Sequence, residues 1–100
     1  MKLEFDWDPA KAASNRARHG VSFDDAMAVF VDPLALSLID VSYGAREGRW
    51  ITLGSAPNGR RYLVVHTYIE LNERSVAIRI ISAREPTRRE IRQYEEGFSA

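Results

Sequence analysis

Hydrophobic and polar residues alternate from Lys2 to Trp7. Leu3, Phe5 and Trp7 share one side and Glu4 and Asp6 the other, the period of a half-buried strand. The period then changes. Asp8-Pro9 supplies an N-cap and a proline at the first helical position, and the helix it opens runs to about His19. Its apolar face is thin (Ala10, Ala13, Ala17), so it must pack closely, and Gly20 stands where a left-handed C-terminal cap belongs. Ser22 starts a second helix with Asp25 as the acid of a capping box and Val21 and Ala26 at staple positions. Phe23, Ala26, Met27 and Phe30 recur as one buried stripe before Asp32-Pro33 ends the run.

Strand patterns follow. Residues 35–41 form the first, residues 42–48 a loop, and residues 49–56 the second strand. Asn58-Gly59 is a strong hairpin signal before a third strand over residues 60–69. Residues 70–74 read as a turn and residues 75–83 as a fourth strand in this series. A last helix covers residues 87–97, with Thr87 and Glu90 as its capping box and Ile91, Tyr94 and Phe98 as its apolar stripe. The order is βααββββα. Short hairpin connections imply antiparallel neighbours, so the expected fold class is α+β, an antiparallel sheet with helices packed on it.

The 100 residues fit one domain, 1–100, with a core burying roughly 65% of the unfolded surface. There is no cysteine, hence no disulfide framework and no thiolate zinc site. No signal peptide is evident, and the apolar runs fall short of the ~20 residues a membrane span needs, so a cytoplasmic protein is expected. Net charge is zero, but unevenly distributed. Residues 1–41 carry four basic and seven acidic side chains, a net of −3; residues 42–100 carry ten basic and seven acidic, a net of +3, and all ten are arginine. Arginine holds planar anions bidentately, so phosphate chemistry enters despite the neutral total.

Metal-free RNA cleavage needs a base, an acid and cations around the phosphoryl centre. His19, at the end of the first helix, suits an imidazolium acid or, equally, a simple cap. His66 lies mid-strand on the face of Tyr62, Val64 and Tyr68, and reads as a packed histidine. Glu47 and Arg49 flank Gly48, either as a solvated turn or as groups aimed into a groove. Arg79 interrupts an apolar strand, so it faces an open sheet surface or bridges a carboxylate such as Glu70. Arg84 ends that strand, and Arg88, Arg89 and Arg92 follow on the helix, whose N-terminus also favours an anion. P-loop, dinucleotide, zincin and nucleophile-elbow motifs are all missing. A non-enzymatic module that grips an acidic peptide remains a rival to a nuclease.

Four segments together resemble the BrnT family, the toxin half of a bacterial type II toxin–antitoxin pair: FDWDPAKAASNRARHGVSFDDAMAVFVDP, EGRW, VVHT and IRIISAREPTRRE. The resemblance implies a small α+β ribonuclease toxin, RelE-like in shape, that needs no metal or cofactor. It implies a BrnA-type antitoxin with a ribbon–helix–helix domain, operator DNA bound only through that antitoxin, and a hetero-oligomer. Carried over by position, His19, Arg49, Arg79 and Arg84 stand as catalytic residues. Arg18, Arg88 and Arg89 would bind RNA phosphate, with Glu47, Glu90 and Tyr94 in support. Arg18 stands where the family commonly has lysine, and Glu85-Pro86 where it commonly has lysine and a small residue.

Overall fold

The structure is a computed structural model and describes residues 1–40 and 48–96. Glu47, Phe98 and most of the expected loop over residues 42–48 lie outside the described residues. Among the described residues six strands form one mixed sheet: β1 (Lys2–Trp7), β2 (Leu36–Ile39), β3 (Arg49–Ser55), β4 (Arg61–Thr67), β5 (Ile69–Asn72) and β6 (Ser75–Arg84). The helices are α1 (Pro9–His19), α2 (Phe23–Ala26), continued by a 3-10 segment Met27–Val31, and α3 (Arg88–Glu96). Across the sheet the strands run β1-β6-β4-β3-β2, with β5 also beside β6.

The α+β class stands, with two differences from the expected arrangement. The sheet is not wholly antiparallel, because β1 lies parallel to β6, with Phe5 opposite Ile78 and Asp6 opposite Arg79. The hairpin rule governs strands joined by short turns; β1 and β6 are joined through the rest of the chain and are free to run in parallel. The expected third strand also divides. β4 ends at Thr67, and the anticipated turn instead holds β5, which pairs antiparallel with β6. Just before the break the register shifts: Val65 faces Ser82 while His66 faces Ile80, leaving Ile81 as an extra residue. Such a bulge bends and twists the strand pair.

The local signals act as their chemistry dictates. Asp8 caps α1 by accepting the Ala10 N–H, and Gly20 takes φ 70°, donating back to the Arg16 carbonyl. Ser22 Oγ accepts the Asp25 N–H. The second helix tightens to 3-10 from Met27, where the segment crosses β3 closely: a Cβ on Gly54 would lie 3.1 Å from Val29 Cβ and 3.2 Å from Ala35 Cβ.

One sheet face carries the core. Phe5, Ile78, Ile80, Val64 and Tyr62 pack there beneath Phe23, Ala26 and Val29. Asn15 fastens α1 beside it. Its amide donates to the Ala83 carbonyl at 2.8 Å and to the Val21 carbonyl at 3.1 Å, while its Oδ1 accepts the Ala83 N–H at 3.0 Å. β1 has ended by then, opposite Ile80, so one buried amide continues the ladder that β1 leaves off. The opposite face is open except where α3 lies across one end. There Arg84 pairs with Glu90, Arg61 with Glu95, and the Tyr94 hydroxyl reaches Asp32 Oδ2 at 2.6 Å.

Candidate active site

Strand register brings two of the expected site residues into one row. Arg49 on β3 stands directly opposite Thr67 on β4. The Thr67 hydroxyl accepts the backbone N–H of Arg79 on β6 at 3.2 Å, and the Arg79 guanidinium donates to Asp6 of β1 at 2.7 Å. The row therefore runs Arg49, Thr67, Arg79, Asp6 across four strands of the open face, at the end that α3 leaves uncovered. Asp6, and not Glu70, is the carboxylate that meets Arg79, because the parallel pairing sets the two side by side. Both partners are at least half exposed, so the pair adds little stability and opens readily to an incoming anion.

Arg84 lies at the other end of the same face. It is opposite Leu63, four residues along β4 from Thr67, which is roughly 13 Å at the strand rise. Its guanidinium holds both Glu90 carboxylate oxygens, at 2.9 and 3.0 Å, and also reaches the Glu85 carbonyl. Glu90 in turn accepts the Thr87 N–H and donates its own N–H to Thr87 Oγ1. The Arg84 bonds hold the Glu90 carboxyl below its ordinary range, against partial burial and with help from Thr87. The carboxylate of Glu85 is taken by Arg60, so it does not neutralise Arg84.

Tyr94 joins α3 to the body of the protein through Asp32 and Ser55. Burial works to raise the Asp32 carboxyl, but the N–H groups of Ser55 and Leu34 and the Tyr94 hydroxyl hold it below its ordinary value. The Tyr94 hydroxyl is correspondingly raised by its bond to Asp32. The remaining expected residues stand apart. His19 and Arg18 are exposed at the end of α1, where no hydrogen bond or ion pair joins them to the arginines of the sheet. Arg88 and Arg89 begin α3, with Arg88 beside Ile91 and Arg92 in a shallow hollow of about 330 Å³.

His66 is packed in the interior, as its mid-strand position suggested, and it also joins a hydrogen-bond chain that the sequence did not indicate. Its Nδ1 donates to the Thr67 carbonyl at 2.9 Å, which leaves Nε2 to accept from the Thr52 hydroxyl at 2.7 Å. Thr52 in turn lies 2.8 Å from the Ser37 hydroxyl. Burial lowers the His66 pKa, partly offset by the Thr67 carbonyl, so the ring is neutral at pH 7. Phe30 packs edge-on against it at 4.7 Å. Beside this chain opens a cleft of about 640 Å³ lined by Phe30, Ser37, Trp50, His66, Tyr68 and Glu70. The period-two row of Tyr62, Val64, His66 and Tyr68 signalled one wall of it; Ser37, Thr52 and Trp50 join only through register. Among the described residues no group of three His, Asp or Glu side chains is set to hold a metal ion.

A six-stranded mixed sheet with α1 and α2 on one face, and Arg49, Arg79 and Arg84 on the other, defines a small α+β protein. The sequence profile of the BrnT family, described as the ribonuclease toxin of a type II toxin–antitoxin system, matches residues 7–90. The chain belongs to that family. The fold is similar to the crystal structure of the Brucella abortus ribonuclease toxin BrnT, with a TM-score of 0.64 at 19% identity, over 87% of this chain and 100% of that one. No curated protein matches the chain by sequence.

Proposed function

We propose that this chain is itself a ribonuclease toxin that arrests growth by cleaving RNA without a metal ion, in the cytoplasm, until a BrnA-type ribbon–helix–helix antitoxin binds it in a hetero-oligomer. Operator DNA is then reached only through the antitoxin. The observation that carries the reading is the Arg49–Thr67–Arg79 row on an open sheet face within a chain of the BrnT family. Two guanidinium groups on strands either side of β4 suit a phosphodiester, and they become more valuable as the phosphoryl group gains charge in the transition state. The 2′-hydroxyl attacks phosphorus, its proton passes to a base, and the leaving 5′-oxygen is protonated by an acid. Both nitrogens of His66 are occupied, so the exposed His19, which lies at the end of α1 apart from the row, is the imidazole left as candidate acid or base. Arg84 and the exposed Arg18, Arg88 and Arg89 serve flanking phosphates, while Glu90 and Tyr94 hold α3 in place beside them.

Induced expression in a bacterial host tests the reading. Wild-type protein is expected to stop growth and deplete RNA, with both effects relieved by co-expressing the antitoxin. A doubly substituted Arg49→Ala, Arg79→Ala chain that stays folded is expected to do neither. Normal growth and intact RNA in cells that accumulate folded wild-type protein would sink the nuclease reading in favour of a binding module.

A further inference from the structure

The cleft beside His66 lies on the sheet face away from the arginine row, but at the same end of β3. Arg49 and Trp50 are successive strand residues, so their side chains leave in opposite directions, the first to the row and the second to the cleft. The walls of the cleft are unusual for a simple core margin. Trp50 and Tyr68 stand with ring centroids 6.3 Å apart and planes tilted by 56°, and both rings reach solvent. Phe30 closes the inner wall. The lining residues carry few polar groups: the Glu70 carboxylate, the hydroxyls of Ser37 and Tyr68, the Trp50 indole N–H, and His66. An opening of about 640 Å³ walled in part by aromatic rings, with one acceptor-only group at its rim, fits a flat ring that presents hydrogen-bond donors along one edge.

We propose that this cleft is a guanine subsite, taking the base of one nucleotide of an RNA whose phosphates lie on the arginine side. The proposal rests on the reading that RNA is the ligand of this end of the sheet. Guanine is the base whose Watson–Crick edge offers two adjacent donors, N1–H and the N2 amino group, and a carboxylate accepts both at once. Adenine sets an acceptor beside its amino group, as does cytosine, and uracil flanks its single donor with two carbonyl oxygens. Each of these places a lone pair against the Glu70 oxygens. The aromatic walls stack any base, so they supply affinity, and Glu70 supplies the choice among bases. A cationic side chain from a protein partner is the competing occupant. It fills less of the cleft than a purine does.

Mononucleotides separate this binding from cleavage, because they contain no internucleotide bond. In the full-length Trp7→Phe chain, Trp50 is the remaining tryptophan and reports on the cleft by its fluorescence. Saturable quenching by 5′-GMP is expected, with 5′-AMP, 5′-CMP and 5′-UMP weaker by roughly tenfold, the discrimination of one bidentate contact. Glu70→Gln is expected to erase that preference while leaving nucleotide quenching measurable. Because Glu70 is exposed on β5, this substitution leaves the core untouched. Equal quenching by all four nucleotides, an unchanged preference in Glu70→Gln, or quenching by N-acetyl-argininamide but not by GMP would each overturn the proposal. RNA cleavage with no guanine preference near the cut would also overturn it and leave the nuclease reading standing. Guanine-selective quenching without any RNA cleavage would uphold the subsite and remove the nuclease.

Discussion

His66 is a buried imidazole whose surroundings choose its protonation state. The Thr67 carbonyl fixes the proton on Nδ1, the Thr52 hydroxyl occupies Nε2, and burial penalises the cation. Its folded pKa is therefore depressed below the ordinary 6.5, and the unfolded chain takes up a proton more readily than the folded one. The stability this group contributes is complete above its unfolded pKa and is lost as pH falls through and below about 6.5. Asp32 and Glu90 are depressed carboxyls, whose contributions are also lost on acidification but from lower starting values, 3.8 and 4.5. Urea unfolding between about pH 8 and pH 5 is expected to show stability falling across the lower half of that range, with a shallower fall in His66→Gln. An identical slope in the variant would assign the titration to another group.

The third helix depends on one strand-end arginine. Thr87 and Glu90 cap it locally, but Arg84 ties that cap to β6, and Tyr94 ties the next turn to Asp32. Arg84→Ala is expected to loosen α3 from the sheet, at a cost of about 1 kcal/mol after allowing for the partial exposure of both partners. Protease cleavage within residues 88–96, compared with wild type at equal fold content, reads this directly. Unchanged protection would show that Tyr94 and Ile91 suffice to hold the helix. Toxicity of Arg84→Ala is therefore to be read beside α3 protection.

The same elements show what was legible in the chain. Caps and turns were readable because their chemistry is local: Asp8-Pro9, Ser22, Asn58-Gly59 and the Thr87–Glu90 box each act within a few residues. The break of the third strand at Tyr68 was hidden, since the bulge behind it belongs to the pairing of β4 with β6. Arg79 read as a residue in need of an open face or a carboxylate, and it has both. That the carboxylate is Asp6 follows only from the parallel register. The Ser37–Thr52–His66 chain was invisible for the same reason, since its members meet across three strands.

At the scale of the whole molecule, arginines gather on one sheet face although the net charge is zero. A neutral chain places its core and helices α1 and α2 on one side of the sheet, and on the other it sets Arg49, Arg79 and Arg84 along one surface. Among the described residues no helix is long and apolar enough to cross a membrane. A nuclease reading requires that surface to cleave RNA. The direct measurement is incubation of purified protein with end-labelled RNA in excess EDTA, beside the Arg49→Ala, Arg79→Ala chain. Fragments ending in a 2′,3′-cyclic phosphate are expected from the wild type, and intact RNA with the folded variant. Intact RNA in both, or equal cleavage in both, would contradict that reading.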